Sequence, residues 1–330
     1  MSKITVVGFG SWGTALAVLL SGNGHEVTVT ARNAAQLAEA AAEKENKKYL
    51  PGVPLPEALR FEADLEKALE GAEMVLFAVP SQHFRANLTR ALPYLPEDAI
   101  LVNVAKGIEQ KTLKRQSEIA AEVAPTFRYV ALSGPSHAEE VGRHLPTTVS
   151  SSSEDREAAE LVQRTFMNDR FRVYTNTDLV GVELGGALKN IMALGAGISD
   201  GLGYGDNAKA ALMTRGITEM TRLGVALGAE PETFAGLSGI GDLIVTCTSM
   251  HSRNRRCGIL IGQGVPPEEA VGRIGMVVEG ITTCYAACEL AEKAGVEMPI
   301  TQCIRACLEG ELTPLAAIDL LMTRRPKYEN

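Results

Sequence analysis

Ile4-Thr5-Val6-Val7-Gly8-Phe9-Gly10-Ser11-Trp12-Gly13-Thr14-Ala15-Leu16-Ala17 reads as a β-branched strand, a GxGxxG turn and the start of a helix. In such a turn Gly8 permits the tight reversal, Gly10 lets the backbone approach a pyrophosphate, and Gly13 lets the helix pack closely on the strand. The spacing alone is weak evidence, because glycines also serve ordinary turns. Its context strengthens it: the strand stands at the very N-terminus, and a second β-branched run at 27–30 closes a unit of about thirty residues, the length of one βαβ element. This predicts a dinucleotide site built from Gly8, Gly10, Ser11, Trp12 and Gly13.

Working outward, short β-branched runs alternate with Ala/Leu/Glu stretches as far as residue 180, the pattern of a parallel sheet covered by helices. Candidate strands fall at 4–7, 26–30, 74–78, 99–104, 128–132, 147–150 and 171–175. Beyond residue 178 the β signal fades into long Ala/Leu/Met-rich segments, 181–194, 207–228 and 280–294. The expected fold is α/β: residues 1–180 a Rossmann-like, doubly wound, mostly parallel sheet, and residues 181–330 an all-α domain that binds substrate.

The second strand ends in Ala31-Arg32-Asn33, where a site specific for NAD carries an acidic residue for the ribose hydroxyls. A guanidinium there can pair with a 2′-phosphate and stack on adenine, which favours NADP(H) and leaves NAD(H) possible; a merely solvated arginine is the alternative.

The chain has 330 residues, 45% of them hydrophobic, enough for two cores. Its net charge of -8 argues against general attraction to nucleic acid or anionic membranes, so any anion site must be local. The apolar run before Gly8 is too short for a signal h-region or a membrane span, and we expect a cytoplasmic protein without stable membrane insertion. Six cysteines include the i,i+4 pairs Cys284/Cys288 and Cys303/Cys307 but no CxxC, which reads as buried free thiols. Five histidines without an HExxH pattern point to no metal.

Five further segments carry a family resemblance. They are Asn103-Val104-Ala105-Lys106-Gly107-Ile108-Glu109, Leu132-Ser133-Gly134-Pro135-Ser136-His137-Ala138-Glu139-Glu140-Val141, Glu183-Leu184-Gly185-Gly186-Ala187-Leu188-Lys189-Asn190, Gly236-Leu237-Ser238-Gly239-Ile240-Gly241-Asp242-Leu243 and Ser252-Arg253-Asn254. Together they resemble the soluble glycerol-3-phosphate dehydrogenases, particularly the prokaryotic NAD(P)-dependent form. The likeness runs nearly the whole chain, in the family's order and spacing, with no departure at a position expected to carry chemistry. It implies interconversion of sn-glycerol 3-phosphate and dihydroxyacetone phosphate by hydride transfer, glycerol 3-phosphate supply for phospholipid synthesis, and a homodimer through the helical domain.

The residues make chemical sense beside the name. Reducing a phosphorylated ketone requires a hydride donor over the carbonyl, a proton donor at its oxygen, and cations at the phosphate. Lys106 and Lys189 are candidate acids, and Arg253 with Asn254 a candidate phosphate clamp. By motif match the resemblance makes Lys189 the proton donor or acceptor, and Lys106 the residue that orients substrate and stabilises the oxyanion. Asp242 balances the lysines' charge. Gly134, Ser136, Ser252, Arg253 and Asn254 are implied substrate contacts, and Lys106, Ala138, Arg253, Val277 and Glu279 implied cofactor contacts; His137 shapes its loop. Two rivals stand against this reading. One is a two-domain hydroxyacid or 6-phosphogluconate type dehydrogenase; the other is a nucleotide-binding sensor without turnover, which has no need of Lys106, Lys189, Asp242 and Arg253 together.

Replacing Arg32 with Asp is expected to shift preference toward NADH. The ratio of kcat/KM for the two nucleotides checks it, and an unmoved ratio would contradict this reading of the strand's end.

Overall fold

The computed structural model describes residues 1–326 and 328; residues 327, 329 and 330, the end of the range assigned to the helical domain, lie outside the described residues. One eight-stranded sheet is built from β1 (Lys3–Val7), β2 (Glu26–Thr30), β3 (Arg60–Phe61), β4 (Met74–Phe77), β5 (Ile100–Asn103), β6 (Arg128–Ser133), β7 (Thr147–Ser152) and β8 (Phe171–Asn176). The strand order is β3-β2-β1-β4-β5-β6-β7-β8. Every neighbouring pair is parallel except β6 and β7.

Each expected strand has its counterpart. β3 went unseen because two residues carry no period. Helices cover both faces of the sheet, so alternate residues of one strand enter different cores: Ile4 and Val6 join Leu16, Leu20 and Val29, while Val7 joins Phe77, Phe84 and Leu101. Strand order reverses between β1 and β4, the place where open α/β sheets hold their ligands. Gly8 turns the chain there at φ +113, and a Cβ on it would stand 2.4 Å from the Ala78 carbonyl oxygen. Only glycine satisfies both conditions.

The second core surrounds the helix Leu179–Gly201. Its 18-residue apolar window passes by length and composition for a membrane span, yet 89% of that window is buried inside the protein. The sequence pattern suggested an end near residue 194, because Gly195, Gly197 and Gly201 lower helix propensity. Packing overrides propensity here. The helix Arg253–Gly262 crosses so closely that a Cβ on Gly197 would lie 2.1 Å from the Arg255 carbonyl oxygen, and one on Gly258 2.1 Å from that of Leu194.

A buried carboxylate fixes this core against the sheet. Glu183, on the helix Leu179–Gly201, accepts from the Arg115 guanidinium at 2.9 Å, the Ser117 amide at 2.8 Å and the Tyr129 hydroxyl at 2.8 Å.

Gly258→Ala forces the two helices apart against backbone rather than flexible side chains. Overpacking of this kind costs about 3 kcal/mol, more than the roughly 1 kcal/mol gained in helix propensity. Thermal unfolding is expected to show a net loss of about 2 kcal/mol, and an unchanged midpoint would contradict the close-packing account.

Candidate active site

Loops leaving the carboxyl ends of β5 and β6 meet the helical domain at one carboxylate. Lys106, just past β5, directs its Nζ to the Gly134 carbonyl at 2.8 Å and to Asp242 Oδ2 at 2.6 Å. Lys189, on the helix Leu179–Gly201, places its Nζ 3.0 Å from Asp242 Oδ1 and donates to Thr246 Oγ1 at 2.7 Å. The Thr246 hydroxyl in turn donates to the Asp242 carbonyl oxygen at 2.6 Å. Asp242 is 2% exposed and Lys189 6%.

Burial sets the electrostatics. Loss of water lowers the Lys189 pKa to about 8, a shift that the Asp242 carboxylate opposes and the Lys106 ammonium assists. Burial alone would raise the Asp242 carboxyl, but the two ammoniums reverse the sign and hold it below its ordinary value. Lys189 can therefore exchange a proton near neutrality while Asp242 stays ionised. His137 moves downward, chiefly by burial and then by the Lys189 charge. Its Nε2 lies 3.5 Å from the Val245 carbonyl oxygen, which links its loop to the helix Asp242–Thr248.

Amide side chains hold the pieces in register. Asn190 donates to the Lys106 carbonyl at 3.1 Å, Asn254 donates to Asn190 Oδ1 at 2.8 Å, and the Gly280 amide donates to Asn254 Oδ1 at 2.9 Å. Two residues expected to touch substrate thus turn inward in part. The Asn254 carbonyl is taken and only one of its N–H groups remains for a ligand. Ser252 caps its own helix, its Oγ accepting from the Arg255 amide at 3.2 Å. The arginines at this end also separate: Arg255 is committed to Asp200 at 2.7 Å, whereas Arg253 is exposed and, among the described residues, has no hydrogen-bond or ion-pair partner.

The N-terminal turn fits a dinucleotide on its own geometry. The helix Ser11–Gly22 begins without a side-chain cap, and a Cβ on Gly10 would meet nothing within 4 Å. The first amides of that helix are thus open to an anion. The buried indole nitrogen of Trp12 also lacks a protein partner. Arg32 stands exposed at the end of β2. On the far side, Glu279 accepts from the Ser81 amide at 2.8 Å and from its hydroxyl at 2.5 Å, joining the turn after β4 to the helical domain. Val277 beside it is 42% exposed. Ser136 donates to the Gly134 carbonyl at 2.8 Å, and Ala138 opens the short helix Ala138–Val141.

Thr246 and Asn190 were given no role from sequence. Thr246 had a usable signal, its i+4 spacing from Asp242 on one helix face. The six cysteines are buried free thiols, as expected.

Two family models cover most of the chain. NAD-dependent glycerol-3-phosphate dehydrogenase N-terminus matches residues 3–159, and the corresponding C-terminus model matches residues 178–319. A glycerol-3-phosphate dehydrogenase [NAD(P)+] of Pelotomaculum thermopropionicum is 58% identical over 99% of this chain and 95% of its own length. The protein of that name from Bacillus velezensis is 52% identical over 100% of this chain and 96% of its own. Among solved structures, glycerol-3-phosphate dehydrogenase from Coxiella burnetii superposes with a TM-score of 0.94 at 40% identity, over 98% of this chain and 99% of that one.

Asp242→Asn removes the one negative charge between two ammoniums. The Lys189 midpoint, followed by NMR of isotope-labelled lysine, is expected to fall below its present value by about one unit or more. An unmoved midpoint would contradict the electrostatic account.

Proposed function

For a chain that belongs to the NAD(P)-dependent glycerol-3-phosphate dehydrogenases, we propose that Lys189 is the proton donor and acceptor of the reaction, with Lys106 positioning the carbonyl and NADPH the preferred nucleotide. The protein is an oxidoreductase that interconverts sn-glycerol 3-phosphate and dihydroxyacetone phosphate with a nicotinamide cofactor. The single observation that carries the assignment of roles is the Asp242 carboxylate shared between the two lysines, 2.6 Å from one and 3.0 Å from the other.

Gly8, Gly10, Ser11, Trp12 and Gly13 would hold the pyrophosphate, Arg32 a 2′-phosphate, and Lys106, Ala138, Arg253, Val277 and Glu279 the nicotinamide end. When bound, the nicotinamide supplies hydride to the carbonyl carbon in reduction and accepts it in oxidation. Lys106 directs its ammonium at the carbonyl oxygen and stabilises the charge developing there. Lys189 delivers its proton to that oxygen and becomes a neutral amine, a change made easy by its lowered pKa. Asp242 stays charged throughout and keeps both side chains aimed. Gly134 and Ser136 shape the wall beside Lys106. Unpaired Arg253, at the start of the helix Arg253–Gly262, takes the substrate phosphate with the remaining Asn254 N–H and the backbone at Ser252.

The product supplies the glycerol backbone of phospholipids. Six buried free thiols support work in the reducing cytoplasm. Leu315, Leu320 and Met322, exposed on the helix Pro314–Met322, support a homodimer through the helical domain.

Nucleotide oxidation by the purified protein with dihydroxyacetone phosphate tests the reading, run with NADPH and again with NADH. Lys189→Ala is expected to lose about 10²- to 10⁴-fold in kcat while NADPH binding stays nearly intact. A variant of near-normal rate would remove Lys189 as the proton donor.

A further inference from the structure

Away from the lysines, a groove of about 520 Å³ opens beside the end of β2, and two arginines from distant parts of the chain line it. Arg32 follows β2. Arg90 stands in the last turn of the helix Phe84–Ala91, and Tyr94 in the 3₁₀ turn Leu92–Tyr94 that follows it. The helix Leu65–Leu69 packs against both of these elements and brings them to the groove. Among the described residues, neither the Arg32 nor the Arg90 guanidinium has a hydrogen-bond or ion-pair partner. Arg85, one turn from Arg90, pairs instead with Glu109 and Glu122, so carboxylates are within reach of this helix and Arg90 does not use them.

Two unpaired cations facing one groove repel each other, and a dianion between them removes the repulsion. The lining also carries Asp64 and Glu66. Asp64 is turned into its own backbone, where Oδ1 accepts from the Glu66 amide at 3.0 Å. Tyr94 is 42% exposed and offers a planar surface.

We propose that Arg90 is the second arm of the clamp for the adenosine 2′-phosphate, opposite Arg32, and that Tyr94 is the wall against which the adenine lies. The inference rests on the reading of Arg32 as a 2′-phosphate ligand. A phosphate monoester presents three oxygens, enough to accept from two guanidiniums at once, and neither element alone supplies both. Preference for NADPH then resides in Arg32 and Arg90 jointly, and Arg90 carries no motif by which the sequence would reveal it.

Calorimetric binding of 2′,5′-ADP and of 5′-AMP to the full chain tests this, in the wild type, Arg32→Ala, Arg90→Ala and the double variant. Arg90 is exposed, and its truncation leaves the cores untouched. Arg90→Ala is expected to weaken 2′,5′-ADP about tenfold, the loss of one charge-assisted contact, while 5′-AMP stays within about twofold. If Arg32→Ala weakens 2′,5′-ADP and Arg90→Ala does not, the inference fails and the reading of Arg32 stands. Should neither variant discriminate the two ligands, both fail. Equal weakening of both ligands by Arg90→Ala would make it a packing residue and overturn the clamp. Tighter wild-type binding of 5′-AMP than of 2′,5′-ADP would assign the groove to ribose hydroxyls through Asp64 or Glu66, against both readings.

Discussion

A carboxylate with almost no access to water, shared by two lysines from different domains, is the constraint around which this molecule is arranged. Asp242 alone in that position would cost several kcal/mol in lost hydration, and each lysine alone would cost a comparable amount. Together they are tolerable only in good geometry, and Asp242 meets that condition with one oxygen to each ammonium. Lys106 arrives on the loop after β5 and Lys189 on the central helix, so a small displacement at the seam would leave a charge unpaired.

Three sets of contacts protect the seam. Glu183 accepts from groups on the helix Gln116–Val123, its N-cap and β6, and fixes the start of the central helix six residues before Lys189. The ladder from the Lys106 carbonyl through Asn190 and Asn254 to Gly280 spans the site from one domain to the other. Ser81 and Glu279 add a further link between the turn after β4 and the helical domain. None of these groups needs to touch substrate to matter, because each helps set where Lys106, Lys189 or Asp242 stands. Burial is the largest influence on Lys189 and brings its pKa near neutrality, which suits the proton-carrying role proposed for it.

Much of this was legible in the sequence, for physical reasons. Strands buried on both faces read as apolar runs, and glycines at 8, 10 and 13 have few alternatives once a strand precedes them. The lysines and Asp242 stood out because they lie in the segments that carry the family resemblance, beside glycines that let a ligand approach. The two-residue β3 and the far end of the central helix were not legible: one is too short for any period, and the other depends on a glycine contact with a helix about sixty residues away, where local propensity points the wrong way. Ser252 and Asn254 show a different limit. A motif says that a residue belongs to the site, but only packing reveals that Ser252 caps its own helix and that most of Asn254 serves the protein. The role proposed for Arg90 had no sequence signal, because nothing local connects it with Arg32.

The pH dependence of turnover in both directions tests the central claim, that burial against a shared carboxylate makes Lys189 the proton carrier. With Lys189 near 8, kcat/KM for reduction of dihydroxyacetone phosphate should fall as the pH climbs through that value, since the acid is lost. Oxidation of glycerol 3-phosphate should rise over the same range, since the base is formed. Profiles that stay flat across it, or that bend together in the same direction, would contradict the account.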